Sequence, residues 1–243
     1  MAYSTDQKIF LSIIIPAYNE EDRIGPSLDT ILLYLDKQNY PWELIILDDG
    51  SIDKTEEVVL KKIKIRSNCL LIKNDKRQGK GVSVKKGVLH SRGSYILFSD
   101  ADLSTPIEEV ERLLSFLQNG CDIAIGSRGK KDSKILRHQV WLREYMGKTF
   151  NLLIKLILFK GIDDTQCGFK CYTHQVAKDL FSAQSISGFC FDVENLYLAK
   201  KKNYLIKEVP VRWFHKERSK VRIFRDSLRM FFDLLVIRLR HRS

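Results

Sequence analysis

Short apolar segments alternate with amphipathic segments of helical periodicity throughout the first 128 residues. Five apolar segments predict strands: Phe10–Ile15, Leu44–Leu47, Leu70–Lys73, Tyr95–Ser99 and Ile123–Gly126. Helical patterns lie between them, near 20–38, 53–66, 80–91 and 106–118. Strands that alternate with helices form right-handed βαβ crossovers, which place the strands parallel to one another. The alternation therefore predicts an α/β fold with a mostly parallel sheet flanked by helices.

The start of the fourth predicted helix carries a capping pattern. Thr105 has the side chain of an N-cap residue, Pro106 suits the first helical position, and Glu108 completes a capping box. We therefore expect an α-helix that begins directly after Thr105.

Two longer helical patterns with dense apolar faces follow in the second half of the chain, Trp141–Phe159 and Ile223–Leu239. Neither contains the run of about 20 apolar residues that a membrane span needs. We interpret the first as a core helix. For the second, whose arginines flank bulky apolar residues, core packing and docking on a membrane surface both stay open. We expect one domain over 1–222, with halves 1–128 and 129–222, followed by an amphipathic basic helix over 223–243.

The net charge of +11 is concentrated in the second half of the chain. Residues 1–128 carry 17 Lys and Arg against 19 Asp and Glu, a net charge of −2. Residues 129–243 carry 24 against 11, a net charge of +13. This asymmetry predicts an anionic partner for the second half, with nucleic acid, acidic lipid and a phosphorylated substrate as the candidates.

The cysteines and the N-terminal segment indicate a cytosolic protein. The five cysteines are odd in number and stand among apolar residues, which predicts reduced, buried thiols. Cys167 and Cys171 have no second pair, so we expect no zinc site. The polar start of the chain and the short apolar run Phe10–Ile15 predict no signal peptide.

Polar motifs follow the first two predicted strands. Pro16-Ala17-Tyr18-Asn19-Glu20 could cradle a nucleoside, with Tyr18 packed on it and Glu20 at the ribose or base, or could be a simple turn into a helix. Asp48-Asp49-Gly50-Ser51 could place a carboxylate against a base N–H, or could be an ordinary loop. The carboxyl ends of parallel strands are where α/β sheets bind ligands, so both loops belong to one predicted site.

Three further motifs carry charge at strand or helix ends. Gly79-Lys80-Gly81 lacks the spacing of a P-loop but places a lysine at a helix N-terminus, where phosphate binds. Asp100-Ala101-Asp102 offers two hard oxygen ligands to a divalent cation that phosphate oxygens also hold. Arg128 ends the fifth strand and offers a guanidinium.

These motifs resemble those of family 2 glycosyltransferases of the GT-A fold. The later segments 164–170 (Asp-Thr-Gln-Cys-Gly-Phe-Lys), 191–194 (Phe-Asp-Val-Glu), 208–213 (Glu-Val-Pro-Val-Arg-Trp) and 219–220 (Ser-Lys) resemble the dolichyl-phosphate glucosyltransferase and dolichyl-phosphate mannose synthase group. The resemblance runs from about Ser12 to Lys220 and is strongest with the glucosyl branch. It implies an enzyme at the cytosolic face of a membrane that moves one sugar from a nucleotide-sugar onto a polyprenyl phosphate, with inversion of the anomeric carbon.

The resemblance also implies roles for single residues. It assigns the nucleotide-sugar to Pro16, Ala17, Tyr18, Glu20, Asp49, Lys80, Asp100, Ala101, Asp102 and Lys220. Asp100 and Asp102 would hold Mg²⁺ or Mn²⁺ against the diphosphate. Arg128 and Arg143 would hold the acceptor phosphate, and Asp192 would lie near the sugar. Residues 1–128 would then bind the nucleotide and 129–222 the acceptor.

This assignment is chemically coherent. A divalent cation and Lys80 neutralise charge that develops on a nucleoside diphosphate leaving group. The nucleophile is a phosphate oxygen that is already ionised at pH 7, so a strong general base is not required. Two roles stay open for Asp192: a general base, or a group that orients a sugar hydroxyl or an arginine. Arginines suit the acceptor because their planar fork binds phosphate bidentately.

Alternatives remain for the substrate and the partners. The expected donor is UDP-glucose, with GDP-mannose and a non-phosphate acceptor as the alternatives. A nucleic-acid-binding protein would explain the basic pI but leaves the Asp100 and Asp102 pair unexplained, so we expect no nucleic-acid partner. We expect peripheral attachment to a membrane surface, and a homo-oligomer stays open.

Overall fold

The computed structural model describes residues 8–128, 133–137, 141–214 and 223–242. The strands in these ranges are β1 (Leu11–Ala17), β2 (Trp42–Asp48), β3 (Cys69–Lys73), β4 (Tyr95–Ser99), β5 (Ile123–Ser127), β6 (Lys134–Arg137), β7 (Phe169–Thr173), β8 (Ile206–Pro210) and β9 (Arg212–Phe214). The helices are α1 (Ile24–Leu35), α2 (Thr55–Ile63), α3 (Lys80–His90), α4 (Val110–Gln118), α5 (Trp141–Ile157), α6 (His174–Ala183), α7 (Phe191–Lys201) and α8 (Ile223–Arg240).

The main sheet of the described chain has the strand order β3-β2-β1-β4-β7-β5-β8, and β6 pairs with β9 separately. β7 runs antiparallel to its neighbours β4 and β5, whereas the other neighbouring strands of the main sheet run parallel. The prediction of a mostly parallel α/β sheet is confirmed. Because β2 and β4 lie on opposite sides of β1, the chain reverses its direction of progress across the sheet there. The carboxyl ends of β1 and β4 therefore border a crevice of the kind that binds ligands.

Alternate side chains of the central strands enter two apolar layers. Ile13 and Ile15 of β1 pack in the layer that α1, α2 and α4 cover, whereas Ile14 packs in the layer that α3, α6 and α7 cover. All three side chains are fully buried, and burial of each contributes about 1.5–3 kcal/mol. Covered on both faces, the sheet holds its strand ends, and the loops that follow them, in fixed positions.

Helix α8 is buried along one face and exposed along the other. Leu234 and Ile237 are fully buried in a third apolar cluster, together with Ile154 of α5 and Val193 of α7. On the other face, apolar side chains of α8 are exposed to solvent: Leu228, Phe232, Leu235, Val236 and Leu239. Of the described helices, none is both long and apolar enough to cross a bilayer.

The predicted capping box at the fourth helix is wrong. Pro106 has an extended backbone (ψ 141°) and itself occupies the N-cap position, with no side-chain cap hydrogen bond. A 3₁₀ turn over Ile107–Glu109 then leads into α4. The side chain of Glu109 is buried beside Arg112 and Arg212, and this tertiary pairing replaces local capping at the helix start.

Candidate active site

A cavity of about 620 Å³ opens at the carboxyl ends of β1, β2 and β4. Of the residues predicted to bind the nucleotide-sugar, those that line it are Pro16, Ala17, Tyr18, Glu20, Asp49, Lys80, Asp100, Ala101 and Asp102. Lys220 lies outside the described residues. Three loops and the start of α3, which are far apart in the sequence, thus meet at one place.

The loop after β1 is joined to the loop after β2 by hydrogen bonds through Asn19. The Asn19 N–H donates to Ser51 Oγ at 2.9 Å, and Asn19 Oδ1 accepts from the Ile52 N–H at 2.9 Å. Asn19 has a positive φ of 53°, a conformation that asparagine adopts more readily than most residues. The two loops therefore form one connected wall of the cavity.

Two arginines cover the predicted nucleoside-binding side chains. The Arg77 guanidinium lies 4.3 Å from the centre of the Tyr18 ring, within cation–π distance. The Arg23 Nε and Nη2 atoms donate to the two carboxylate oxygens of Glu20, each at 2.7 Å. Tyr18 and Glu20 thus each contact an arginine where they line the cavity. The sequence motifs do not indicate these two contacts.

Asp49 organises the segment that leads to α3. Its carboxylate accepts hydrogen bonds from the Gln78 N–H, the Gly79 N–H and the Asn74 side chain, all at 2.9 Å. The side chain is buried at the cavity wall. Asp49 therefore shapes the 74–79 segment, and its role of accepting a base N–H stays a prediction.

Lys80 and Asp100 form an ion pair in the cavity. The Lys80 Nζ atom lies 2.6 Å from Asp100 Oδ1. Burial alone would lower the pKa of Lys80, but the carboxylates of Asp100 and Asp192 outweigh it and raise that pKa above its ordinary value. Lys80 therefore keeps its positive charge at neutral pH, as a partner for a diphosphate requires.

Gly168 leaves the space that the Asp100 carboxylate occupies. A Cβ atom on Gly168 would lie 1.9 Å from Asp100 Oδ2, far inside contact distance. The Asp100 N–H also donates to the Gly168 carbonyl oxygen at 3.0 Å, so the two backbones are tied together. The absence of a side chain at residue 168 thus sets the position of a predicted metal ligand.

The Asp100 and Asp102 pair fits a divalent cation whose other ligands come from a substrate. Asp102 follows the same strand end, and its Oδ1 accepts the Ser104 N–H at 2.9 Å. Within the described ranges there is no group of three His, Cys, Asp or Glu side chains that could hold a metal ion. Two carboxylates beside a cavity are the donor set expected for Mg²⁺ or Mn²⁺ held jointly by protein and diphosphate oxygens.

Asp192 lies in the first turn of α7 and is almost fully buried. The Lys170 Nζ atom lies 3.0 Å from Asp192 Oδ1, an ion pair without hydrogen-bond geometry, and donates to the Cys167 carbonyl oxygen at 2.6 Å. Burial raises the pKa of Asp192, and the nearby charges of Lys170 and Lys80 offset only part of this. Asp192 is not one of the described residues that line the cavity.

Arg128 is held in a bidentate ion pair with Asp164. Its Nε and Nη2 atoms donate to the two Asp164 oxygens at 2.7 and 2.8 Å, and its backbone N–H donates to Oδ2 at 2.9 Å. Its guanidinium also lies 5.5 Å from the centre of the Trp213 ring. Arg128 is absent from the described cavity lining. Arg143, the other predicted phosphate ligand, lies in α5.

Part of the cavity wall was not predicted from the sequence. Ser187, Gly188 and Phe189 line it, as do three residues of α8: Arg229, Met230 and Asp233. The buried Glu194 carboxylate holds the preceding segment by accepting the N–H groups of Ser185 and Ile186. The sequence signal that could have revealed this wall is the spacing of polar residues at positions 229 and 233, one helical turn apart on α8.

Comparison with known proteins identifies the family. Residues 12–181 match the model of the family described as "Glycosyl transferase family 2". The chain belongs to this family. The resemblance seen in the motifs is thereby confirmed, and the chain is a family 2 glycosyltransferase.

Curated relatives match almost the whole chain. The dolichyl-phosphate beta-glucosyltransferase of Dictyostelium discoideum is 38% identical over 245 residues, covering 96% of this chain and 75% of the relative. The protein of that name from Mus musculus is 39% identical over 250 residues, covering 95% and 75%.

Solved structures share the fold. The glucosyl-3-phosphoglycerate synthase of Mycobacterium tuberculosis in complex with UDP has a TM-score of 0.70 at 19% identity, covering 94% of this chain and 80% of that one. The same enzyme with Mn²⁺, UDP-glucose and phosphoglyceric acid has a TM-score of 0.66 at 18% identity, covering 96% and 79%. The predicted GT-A fold is confirmed.

Proposed function

We propose that this chain transfers one glucose residue from UDP-glucose to a polyprenyl phosphate, with inversion of the anomeric carbon. The observation that carries the proposal is the cavity at the ends of β1, β2 and β4, lined by nearly all the residues assigned to the nucleotide-sugar. The names of the curated relatives, which match this chain nearly end to end, support glucose as the sugar and dolichyl phosphate as the acceptor.

The donor half of the site suits a nucleoside diphosphate. Tyr18 offers a ring for the base, and Lys80 offers a positive charge beside the leaving diphosphate. In the reaction an acceptor phosphate oxygen bonds to the anomeric carbon while the bond from that carbon to the diphosphate oxygen breaks. Lys80, paired with Asp100 before substrate binds, can then stabilise the charge on the departing diphosphate.

Asp100 and Asp102 would hold Mg²⁺ or Mn²⁺ in this site. When bound, the cation supplies charge neutralisation at the diphosphate. Before the donor arrives, Lys80 offsets one of the two carboxylate charges through its ion pair with Asp100. A solved structure of the same fold that contains Mn²⁺ supports the choice of a divalent metal.

Asp192 acts, in this proposal, by holding charges in place. It is buried against Lys170, whose ammonium group is fully buried. The nucleophile is an ionised phosphate, which needs no strong base. Asp192 therefore serves to position Lys170 and, through its charge, Lys80, rather than to remove a proton.

The membrane surface is the proposed location of the reaction, because a polyprenyl phosphate resides there. Exposed apolar side chains of α5 (Leu152 and Leu156) and of α8 (Phe232 and Leu239) suit insertion at the level of lipid headgroups. The excess positive charge of the second half suits an anionic leaflet. We propose peripheral docking on the cytosolic face through these helices.

A transfer assay with Mg²⁺ or Mn²⁺ tests the proposal. Radiolabelled UDP-glucose and GDP-mannose are offered in turn, with a polyprenyl phosphate or the matching unphosphorylated polyprenol as the acceptor. We expect labelled lipid only from UDP-glucose with the phosphate, and loss of product with a chelator. Product from GDP-mannose would correct the sugar, and product on the polyprenol would contradict the phosphate acceptor.

Asp102→Asn and Asp29→Asn form a matched pair for the metal assignment. Asp29 is an exposed carboxylate on α1, paired with Lys62. We expect Asp102→Asn to lower transfer by at least about 100-fold, since metal sites lose 10–100-fold even through their outer partners. Asp29→Asn should leave transfer unchanged. Full activity in Asp102→Asn would contradict the metal role.

A further inference from the structure

Helix α8 contributes a wall to the cavity as well as a face to the core. Arg229, Met230 and Asp233 line the cavity together with the loop at Ser187. Around the helix axis, Arg229 and Asp233 lie between the buried Ile237 and the exposed apolar positions, whereas Met230 lies on the buried side, between Leu234 and Ile237. The C-terminal helix is therefore part of the site.

Arg229 differs from the other two arginines that line the cavity in the described chain. Arg23 is held by the Glu20 carboxylate, and Arg77 lies over the Tyr18 ring. Arg229 is exposed and makes a single long contact of 3.5 Å, from its Nη2 atom to Ser187 Oγ. Its guanidinium has no carboxylate partner within ion-pair distance among the described residues. It is thus ready to bind an anion that enters the cavity.

An exposed apolar stripe runs along α8 beside Arg229. Leu228, Phe232, Leu235 and Leu239 follow one another at helical spacing and are all exposed. At 3.6 residues per turn, Phe232 lies about 60° around the helix axis from Arg229. A cation at the cavity mouth and an apolar surface that leads away from it are thus adjacent on one helix.

We infer that α8 completes the acceptor subsite: Arg229 binds the phosphate head in addition to Arg128 and Arg143, to which the family resemblance assigns it, and the stripe receives the first part of the polyprenyl chain. The inference rests on the proposed function and extends it to residues that the family motifs do not include. An amphipathic phosphate is the ligand that matches this pair of features, because its charged and apolar ends need a guanidinium and a hydrocarbon surface side by side. The Asp233 carboxylate lies one turn further along α8 and interacts electrostatically with Arg229, so a bound phosphate has to compete with it.

Arg229→Ala tests the phosphate contact, with Arg240→Ala as the control. Both remove one exposed arginine from α8, but Arg240 does not line the cavity. The acceptor is a polyprenyl phosphate with a chain short enough to stay in solution, so membrane attraction plays no part. We expect Arg229→Ala to raise the KM for this acceptor by about tenfold or more. The affinity for UDP with Mn²⁺ should be unchanged, and Arg240→Ala should match the wild type.

Phe232→Ser tests the apolar stripe, with Leu33→Ser as the control at an exposed leucine on α1. We expect Phe232→Ser to raise the KM for the prenyl phosphate about threefold and to leave unchanged the KM for a phosphate with a much shorter alkyl chain. Leu33→Ser should affect neither acceptor.

The outcomes separate this inference from the proposed function. If the wild type makes no glucosyl lipid from any polyprenyl phosphate, the proposed function fails. If the wild type is active and Arg229→Ala keeps the wild-type KM, the acceptor subsite is overturned while the function stands. Weaker UDP binding in Arg229→Ala with an unchanged acceptor KM would instead assign Arg229 to the donor and overturn the inference equally.

Discussion

Replacement of Gly168 by alanine should weaken metal-dependent nucleotide binding while leaving the protein folded. The new Cβ would lie 1.9 Å from Oδ2 and 2.3 Å from Cγ of Asp100. Ordinary contacts begin near 3.4 Å, so the carboxylate has to move by about 1.5 Å. The Asp100 backbone cannot retreat easily, because its N–H is bonded to the Gly168 carbonyl. The side chain must therefore rotate away from its place beside Lys80.

The cost to folding should be small. The displaced group is the end of one side chain, and its ion pair with Lys80 is partly exposed, at 38% for Asp100 and 24% for Lys80. Such a pair contributes about 0–1 kcal/mol. At about 2–4 °C per kcal/mol for a domain of this size, the melting temperature should fall by no more than about 4 °C.

The cost to binding should be large, because a proposed metal ligand would leave its place. We expect the affinity for UDP with Mn²⁺, measured by calorimetry, to fall about 10- to 100-fold. Gly188→Ala is the matched control, since Gly188 also lines the cavity but a Cβ there would lie 3.6 Å from Asp233 Oδ2, an ordinary contact. In an Asp100→Ala background, Gly168→Ala should weaken binding no further. Wild-type affinity in Gly168→Ala would refute this reasoning.

Three other expectations concern charge, acid stability and the membrane. Lys80→Met should raise the KM for UDP-glucose about tenfold with little change in the KM for the acceptor, because we propose that the lysine charge binds the donor diphosphate. Asp164→Asn should lower the free energy of unfolding at pH 7 by about 3–5 kcal/mol, since it leaves Arg128 without its partner. Burial alone would raise the pKa of Asp164, but Arg128 outweighs it and lowers that pKa, so the stabilisation is lost as the pH falls. In urea titrations, the difference in the free energy of unfolding between the wild type and Asp164→Asn should therefore become smaller below about pH 4. A difference that does not change with pH would contradict this role of the pair. Leu239→Asp should reduce sedimentation with anionic vesicles, whereas Leu70→Asp, at an exposed leucine on β3, should not; equal loss in both would dismiss docking through α8.

The sequence predicted the elements that depend on local pattern. The five apolar segments of the first half became β1 to β5, and the loops after β1, β2 and β4 met at one cavity because parallel strands end at the same edge of the sheet. The strand β7 was not predicted. It enters the sheet antiparallel between β4 and β5, and no local property of Phe169–Thr173 specifies such a partner.

What the sequence could not reveal is pairing between distant residues. From the sequence, Arg128 offers a guanidinium to a ligand. In the structure it donates three hydrogen bonds to the carboxylate of Asp164, 36 positions away. Asp49 stood out as a partner for a base, yet its carboxylate holds the backbone near Gly79. A motif identifies which side chains are present at a strand end. The packing of other segments determines which of those side chains are available to bind a ligand.

The stereochemistry and attachment of the product show whether this chain is an inverting glucosyltransferase that acts on a polyprenyl phosphate. Wild-type enzyme is incubated with UDP-glucose, a divalent cation and a short-chain polyprenyl phosphate, and the purified product is studied by proton and phosphorus NMR. We expect glucose joined through its anomeric oxygen to the single phosphate of the lipid, in the β configuration. An α-linked product, glucose attached elsewhere on the acceptor, or release of free glucose alone would contradict it.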